Sequence, residues 1–562
     1  MEPSTGPRAS VALSGLADDL LAIQAERNPI WASLAGLTGW DDRLPEPAES
    51  AERELAAGAG RIAEQSRRLD PAVLTAADRI TRAVLMHAAG AVADIVNARV
   101  LDHTVSDTFT SPTHGLLVNL PLVPVSDADQ AEAYLRRLGA VPPYLAAVAD
   151  RHRAGLASGR SPVAHLVSAT IDRLDRYLAD PGGDPLRQPG RDGAPADFAG
   201  RRDRVLADVV RPAVADYRRL LADDVLGHAR PSDRAGLCWV PGGDDAYAAL
   251  VRVHTTTNTD PDDLHHTGLE LMDGLADEYA ELGATVFGTA DVATVLHRLR
   301  GDPALRWTDP AQILATSRDA VRRAEAAAAD WFGRLPAGRC EVRAVPEVAT
   351  KSMGSAYYTA ASLNGTRPGI FFVNTSDPGE RPCYQLEAVT FHEAVPGHHL
   401  QLALAQELTD LPLLRRLSTP TAYVEGWALY AERLADEMGL YSDDLTRLGM
   451  ITEDSCRAAR LVVDTGLHAH GWSRSRALSY FRTHTAMAEL EIAQEVDRYL
   501  AEPAQALSYM TGRLEIERLR RAAETTLGPR FTLNTFHNTI LTHGALPLPV
   551  LESTVNDWLA TQ

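Results

Sequence analysis

Apolar residues recur at three- and four-residue spacing through most of the first half of the chain. The stretches Leu13 to Ala32, Pro71 to Ala98, Ala131 to Leu138 and Tyr144 to Leu156 carry this period, which predicts helices. Breaks rich in Pro or Gly fall between most of them. Asp180 to Gly200 is rich in Pro, Gly and Asp and reads as a surface loop. Two organisations follow. Either residues 1–200 form an N-terminal helical region ahead of a catalytic region at 201–562, or residues 1–562 form one continuous body. The helical period resumes from Arg201 and again from Asp262 to Leu282. Asp260-Pro261-Asp262-Asp263 has the form of a helix start, with a capping carboxylate, a proline and acidic residues in the first turn.

Past Gly338 the pattern changes. Cys340 to Val345 alternates, and Ala356 to Thr359 and Gly369 to Asn374 are short, aromatic or β-branched runs bounded by Gly, Pro and Asn. These predict two or three strands. Helical texture returns from Cys383 to near Glu437 and for most of the remainder. No repeat of fixed period is present. The expected fold is mainly α, with one small β-sheet at about 340–375, just before the stretch that carries the chemistry.

Composition narrows the function. The chain of 562 residues has a formal net charge of -20, which argues against nucleic acid as the main partner, because phosphate binding needs a basic surface. Lys351 is the single lysine, so any Schiff-base mechanism would have to run through it. Cys238, Cys340, Cys383 and Cys456 are scattered without CxxC spacing and suit a reduced, cytoplasmic compartment. The first residues lack the basic and apolar regions of a signal peptide. No uninterrupted apolar run approaches the roughly 20 residues of a membrane span, so no membrane partner is expected.

The chemistry concentrates in His392-Glu393-Ala394-Val395-Pro396-Gly397-His398-His399. In the H-E-x-x-H pattern of zinc peptidases two histidines sit four apart on one helical face, and the Glu beside the first activates water. Here proline occupies position 396, where the second His is due. On an unbroken helix His398 would be turned by about 600° and point away, while His399 would share the face of His392 but lie about 10.5 Å along the axis. Pro396 cannot donate to the carbonyl of His392, and Gly397 tolerates unusual dihedrals. The pair should unwind the helix and swing His398 back, which makes it the preferred second ligand and His399 the alternative. Glu425, in the mostly apolar segment Tyr423 to Glu432, is the best third ligand, because an unpaired carboxylate there would be costly. Glu432, two turns on, reads as a surface residue or a support behind the ligands. The plain alternatives are surface histidines at a helix break and, for Glu425, a structural salt bridge.

These residues carry a resemblance. The sequence is similar to the bacterial family DUF885, whose members look like mostly helical metallopeptidases distantly similar to the carboxypeptidase Taq and thimet oligopeptidase groups. The likeness covers Phe391 to Gln401, Glu425 to Glu432, Arg460 to His468, Gly471-Trp472, Gln505 to Tyr509 with Gly512, Phe536-His537 and Gly544 to Leu548. Tyr247 to His254 and Gly365 to Asn374 also look like family segments. The resemblance implies a zincin-like metallopeptidase fold and a glutamate ligand about two dozen residues beyond the second histidine; Glu425 stands 27 residues from His398. The family pattern usually has Gly and Lys where this chain has Ala504 and Met510. If that Lys binds a substrate carboxylate, Met510 removes it, and Arg513 is the candidate substitute.

The expectation is therefore one Zn2+ held by His392, His398 and Glu425, with Glu393 as general base. Tyr509 is the first choice for an oxyanion donor and His468 the second. Asp464 could orient a ligand histidine. Tyr357 and Tyr358 could line the cleft, and Arg513 and Gln505 could contact a small peptide or amide substrate. A homodimer is compatible with the sequence. Rival readings are a metal-dependent amidase or lyase acting on a small metabolite, and a helical binding protein without turnover.

Overall fold

The computed structural model describes residues 6–108, 111–190, 193–346, 354–363 and 367–562; Lys351 lies outside them. Helices dominate, as the apolar period requires. The Gly6–Arg27, Glu49–Arg68 and Ala76–Ala98 helices pack side by side near the N-terminus. The first predicted helix is cut where Pro29 enters: Asn28 caps a separate helix at Pro29–Ala35 by accepting from Trp31 N–H at 3.1 Å. Asp260 behaves as its sequence suggests, accepting from Asp262 N–H at 2.9 Å at the start of the Pro261–Phe287 helix.

One stretch departs from the membrane reading of the sequence. Ala76–His103 is long and apolar enough to cross a bilayer by length and composition. In this fold its Ala76–Ala98 helix packs against the Glu49–Arg68 and Gly243–Thr255 helices, with Val84, Leu85, Ala89 and Val92 buried.

Among the described residues no break in the packing falls at residue 200. One apolar core joins Ile30, Leu138 and Leu186 to Phe198, Tyr217 and Val225. Val84 belongs to a core whose other buried members run from Ala320 onward, and Leu414 closes the core of the N-terminal helices.

Among the described residues there is one three-stranded sheet: β1 (Glu341–Ala344), β2 (Ala356–Thr359) and β3 (Ile370–Val373), in the order β1-β3-β2. β3 runs parallel to β1 and antiparallel to β2, with Tyr357 opposite Phe372 and Tyr358 opposite Phe371. The central strand is apolar because both its edges and one face are covered. Phe371 and Val373 pack with Ile313 and Val321 of the Pro310–Trp331 helix and with Leu386 and Ala394. The sheet thus braces the segment that begins at Leu386.

Candidate metal centre

The helix Leu386–Glu393 is buried between the Pro310–Trp331, Thr421–Glu437 and Asp444–His468 helices. Its start is pinned by Glu387, whose buried carboxylate accepts from Arg323 at 2.6 Å and from the Ser442 N–H at 2.9 Å. Its end is abrupt. Pro396 offers no N–H, and the ladder gives way to wider bonds, Gly397 N–H to Phe391 O at 2.9 Å and His399 N–H to Ala394 O at 3.1 Å. A new helix begins at His398 and runs to Gln406. Only glycine fits at 397: a Cβ there would stand 1.9 Å from the carbonyl oxygen of His392. The break therefore folds the chain back on itself, as the Pro-Gly pair predicts.

The fold-back brings the two imidazoles together. The rings of His392 and His398 lie 4.7 Å apart between centroids and nearly perpendicular, at 85°. Both Nε2 atoms are 3.5 Å from Glu425 Oε2, and the three ligand atoms lie within 4.8 Å of one another. Two donors on a tetrahedral ion with arms near 2.05 Å are about 3.3 Å apart, and the two 3.5 Å separations are close to that spacing. Behind His392, Glu432 Oε1 is 2.8 Å from Nδ1. Burial draws the His392 pKa down, but the Glu425 and Glu432 carboxylates more than reverse this and hold it up at about 9. Glu425 is held well below the usual carboxylate range, because the two histidines outweigh the cost of its burial.

Glu425 and Tyr509 are brought together by a close helix crossing. Gly426 of the Thr421–Glu437 helix meets Gly512 of the Ser508–Leu527 helix backbone to backbone: a Cβ on Gly512 would stand 1.7 Å from Ala422 O, and one on Gly426 would stand 2.4 Å from Gly512 Cα. Glu425 is the neighbour of one glycine, and Tyr509 lies one turn before the other. Burial raises the Tyr509 pKa, the Glu425 charge adds to it, and the Arg460 guanidinium, 4.5 Å from the ring centroid, opposes both. Tyr509 therefore keeps its proton at neutral pH and can donate it in a hydrogen bond. The nearby Gln505 side chain pulls the same way as Arg460 and accepts from Arg498 Nη1 at 2.5 Å. Glu393 sits half-buried beside His392 and acts on it electrostatically.

Several expected site residues are committed elsewhere. His399 is not placed with the ligands: Tyr358 Oη lies 3.0 Å from its Nδ1 and Gly338 O lies 3.0 Å from its Nε2. His468 is not an oxyanion donor. Its Nδ1 accepts from Leu237 N–H at 3.1 Å, its Nε2–H donates to Tyr499 O at 3.0 Å, and burial holds its pKa down at about 3. Asp464 orients no ligand. It accepts from Tyr247 Oη at 2.6 Å and from Ala504 N–H at 3.1 Å, which fixes the left-handed turn at Ala504 (φ 70°). Arg513 cannot clamp a free anion, because it pairs with Asp454 at 2.6 Å and Glu517 at 2.7 Å. Tyr357 stacks on Phe372 with centroids 5.0 Å apart. Met510 is buried in the core.

Glu432 is the functional neighbour whose role the sequence left open. Its spacing contains the signal: seven residues turn a helix by about 700°, so Glu432 and Glu425 share one face. Trp427 was also missed; its indole N–H donates to Pro396 O at 2.9 Å and ties the break to the Glu425 helix.

The family model for DUF885, described as a bacterial protein of unknown function, matches residues 29–555. No curated protein matches the chain. Among solved structures, a "putative lipoprotein" from Colwellia psychrerythraea is similar at 26% identity, with a TM-score of 0.90 over 99% of this chain and 100% of that one. A "putative lipoprotein of unknown function" from Shewanella oneidensis shares the fold at 18% identity, with a TM-score of 0.76 over 96% of this chain and 99% of that one.

Proposed function

We propose that this chain, which belongs to the DUF885 family of bacterial proteins, is a zinc-dependent hydrolase that cleaves an amide or peptide bond. The observation that carries the reading is the convergence of His392, His398 and Glu425 on one point, with Glu432 behind His392. The donor set suits zinc: two neutral nitrogens and one carboxylate leave a fourth position open. When bound, the ion would polarise a substrate carbonyl and acidify water.

The residues of the chain supply the rest. Glu432 holds the His392 proton on Nδ1 and so keeps the Nε2 lone pair directed at the metal position. Glu393 takes a proton from the attacking water and returns it to the leaving nitrogen. Tyr509 donates its hydroxyl proton in a hydrogen bond to the oxygen that gains charge as the carbonyl becomes tetrahedral. A zincin-like peptidase fold belongs to the same proposal and rests on the His-Glu pair followed by a distant glutamate. So do a small peptide or amide partner and a reduced, cytoplasmic setting. The last is supported by four free cysteines; the word lipoprotein is said of the two solved relatives.

The test is metal analysis of the purified chain, followed by a screen of dipeptides against acylated small amides. One equivalent of zinc and turnover that Glu393→Gln abolishes without loss of metal are expected. Full turnover by Glu393→Gln removes it as the base, and a chain that takes up no zinc ends the proposal.

A further inference from the structure

A cavity of about 980 Å³ lies between the N-terminal helices, the Gly243–Thr255 helix and the loop that leads to Gln505. Its walls are largely apolar, with Trp40, Ile95 and Leu250 among them. Two polar groups on the wall stand apart. Arg27 makes no hydrogen bond or ion pair with any described residue, and burial lowers its pKa. Glu52, the charge that opposes this shift, is already ion-paired with Arg151. Glu26, also on the wall, pairs with Arg43 at 3.1 Å. The second group is His254, whose Nδ1 is buried without a partner.

A cation half-removed from water, with no contacting anion and only the indirect pull of a Glu52 already paired with Arg151, costs free energy, and a ligand that brings its own anion recovers it. Gln505, on the cavity wall, stands four residues before Tyr509 and acts on its hydroxyl, which links the cavity to the neighbourhood of the candidate metal centre. Met510, buried in the core, and Arg513, paired twice, offer no charge to a substrate.

We propose that this cavity is a binding chamber for an apolar carboxylate, with Arg27 as its ion partner and His254 as a second donor. Its role in the reaction rests on the hydrolase reading above: the substrate is then an amide or peptide that keeps a free terminal carboxylate and presents apolar groups to the chamber. Of the other arginines on the wall, Arg99 is already paired with Glu49 and Asp102 and Arg61 is exposed, which leaves one half-buried, unpaired guanidinium to match one carboxylate; a phosphate dianion would call for more donors.

The experiment is calorimetric titration of the full chain with N-benzoyl-leucine and with its neutral amide, first in EDTA and then with zinc. The carboxylate should bind about tenfold or more tightly than the amide. Arg27→Met should erase that preference, Arg27→Lys should keep part of it, and Leu250→Trp should weaken both probes by filling the space. Arg27→Met should melt no lower than the parent, because no partner is lost; the variant is thereby a fair test. Equal binding of the two probes, binding of neither, or an undiminished preference in Arg27→Met overturns the proposal. The titration in EDTA needs no metal and no turnover. A carboxylate preference in a chain that proves not to hydrolyse anything would therefore end the hydrolase reading and leave the chamber standing.

Discussion

Glu432 Oε1 lies 2.8 Å from His392 Nδ1, and the Glu432 side chain is fully buried. A buried carboxylate held against an imidazole raises that ring's basicity and fixes which nitrogen carries the proton. Glu432→Gln should keep the fold, since the amide oxygen can still accept. It should weaken zinc binding about 10- to 100-fold, measured by competition with a chromogenic chelator. Unchanged affinity would remove Glu432 from the centre.

Tyr509→Phe should lower kcat by about a hundredfold or more, with zinc content unchanged. The loss should appear in kcat rather than KM, because the hydroxyl is needed most when the carbonyl oxygen gains charge. A variant that turns over at the parental rate would make Tyr509 a packing residue.

Gly512→Ala should be among the most damaging small substitutions. The added methyl would stand 1.7 Å from the Ala422 carbonyl oxygen, a backbone atom that cannot rotate away. The two helices must then part, at a cost of about 3 kcal/mol, read as a lower melting temperature. Turnover at temperatures where the variant is still folded should fall as well, since Tyr509 and Glu425 ride on the parting helices.

His468 sets a direction for acid stability. Its pKa is held at about 3 in the folded chain, against about 6.5 when unfolded. Between those values the unfolded chain binds a proton that the folded chain does not, so stability is complete above pH 6.5 and is lost as pH falls toward 3. The slope from this one group is about 1.4 kcal/mol per pH unit. His103, His152 and His537, each held near 4 by burial, act in the same sense. Urea unfolding at pH 7.5, 6 and 5 should show a steady decline, and a flat response would contradict the buried, neutral assignment.

The elements and the grouping of His392, His398 and Glu425 were legible in the sequence because both depend on local pattern. Apolar period gave the helices, Pro396-Gly397 announced the break, and a carboxylate in an apolar segment pointed to Glu425. The misassigned residues were decided by distant partners. His468 is satisfied by Leu237, 231 positions away, and Arg513 by Asp454, 59 positions away. No spacing rule reports such pairings. The chamber around Arg27 was likewise invisible, since its walls come from both ends of the chain.

Trp427 sits two residues beyond Glu425, and the carbonyl it grips belongs to the proline two residues before His398. That single bond rivets the bend to the neighbouring helix, so His392, His398 and Glu425 form one casting rather than three separate fingers. Emptying and refilling the centre should alter its charge while leaving the backbone where it was, and the apo and loaded forms should superimpose.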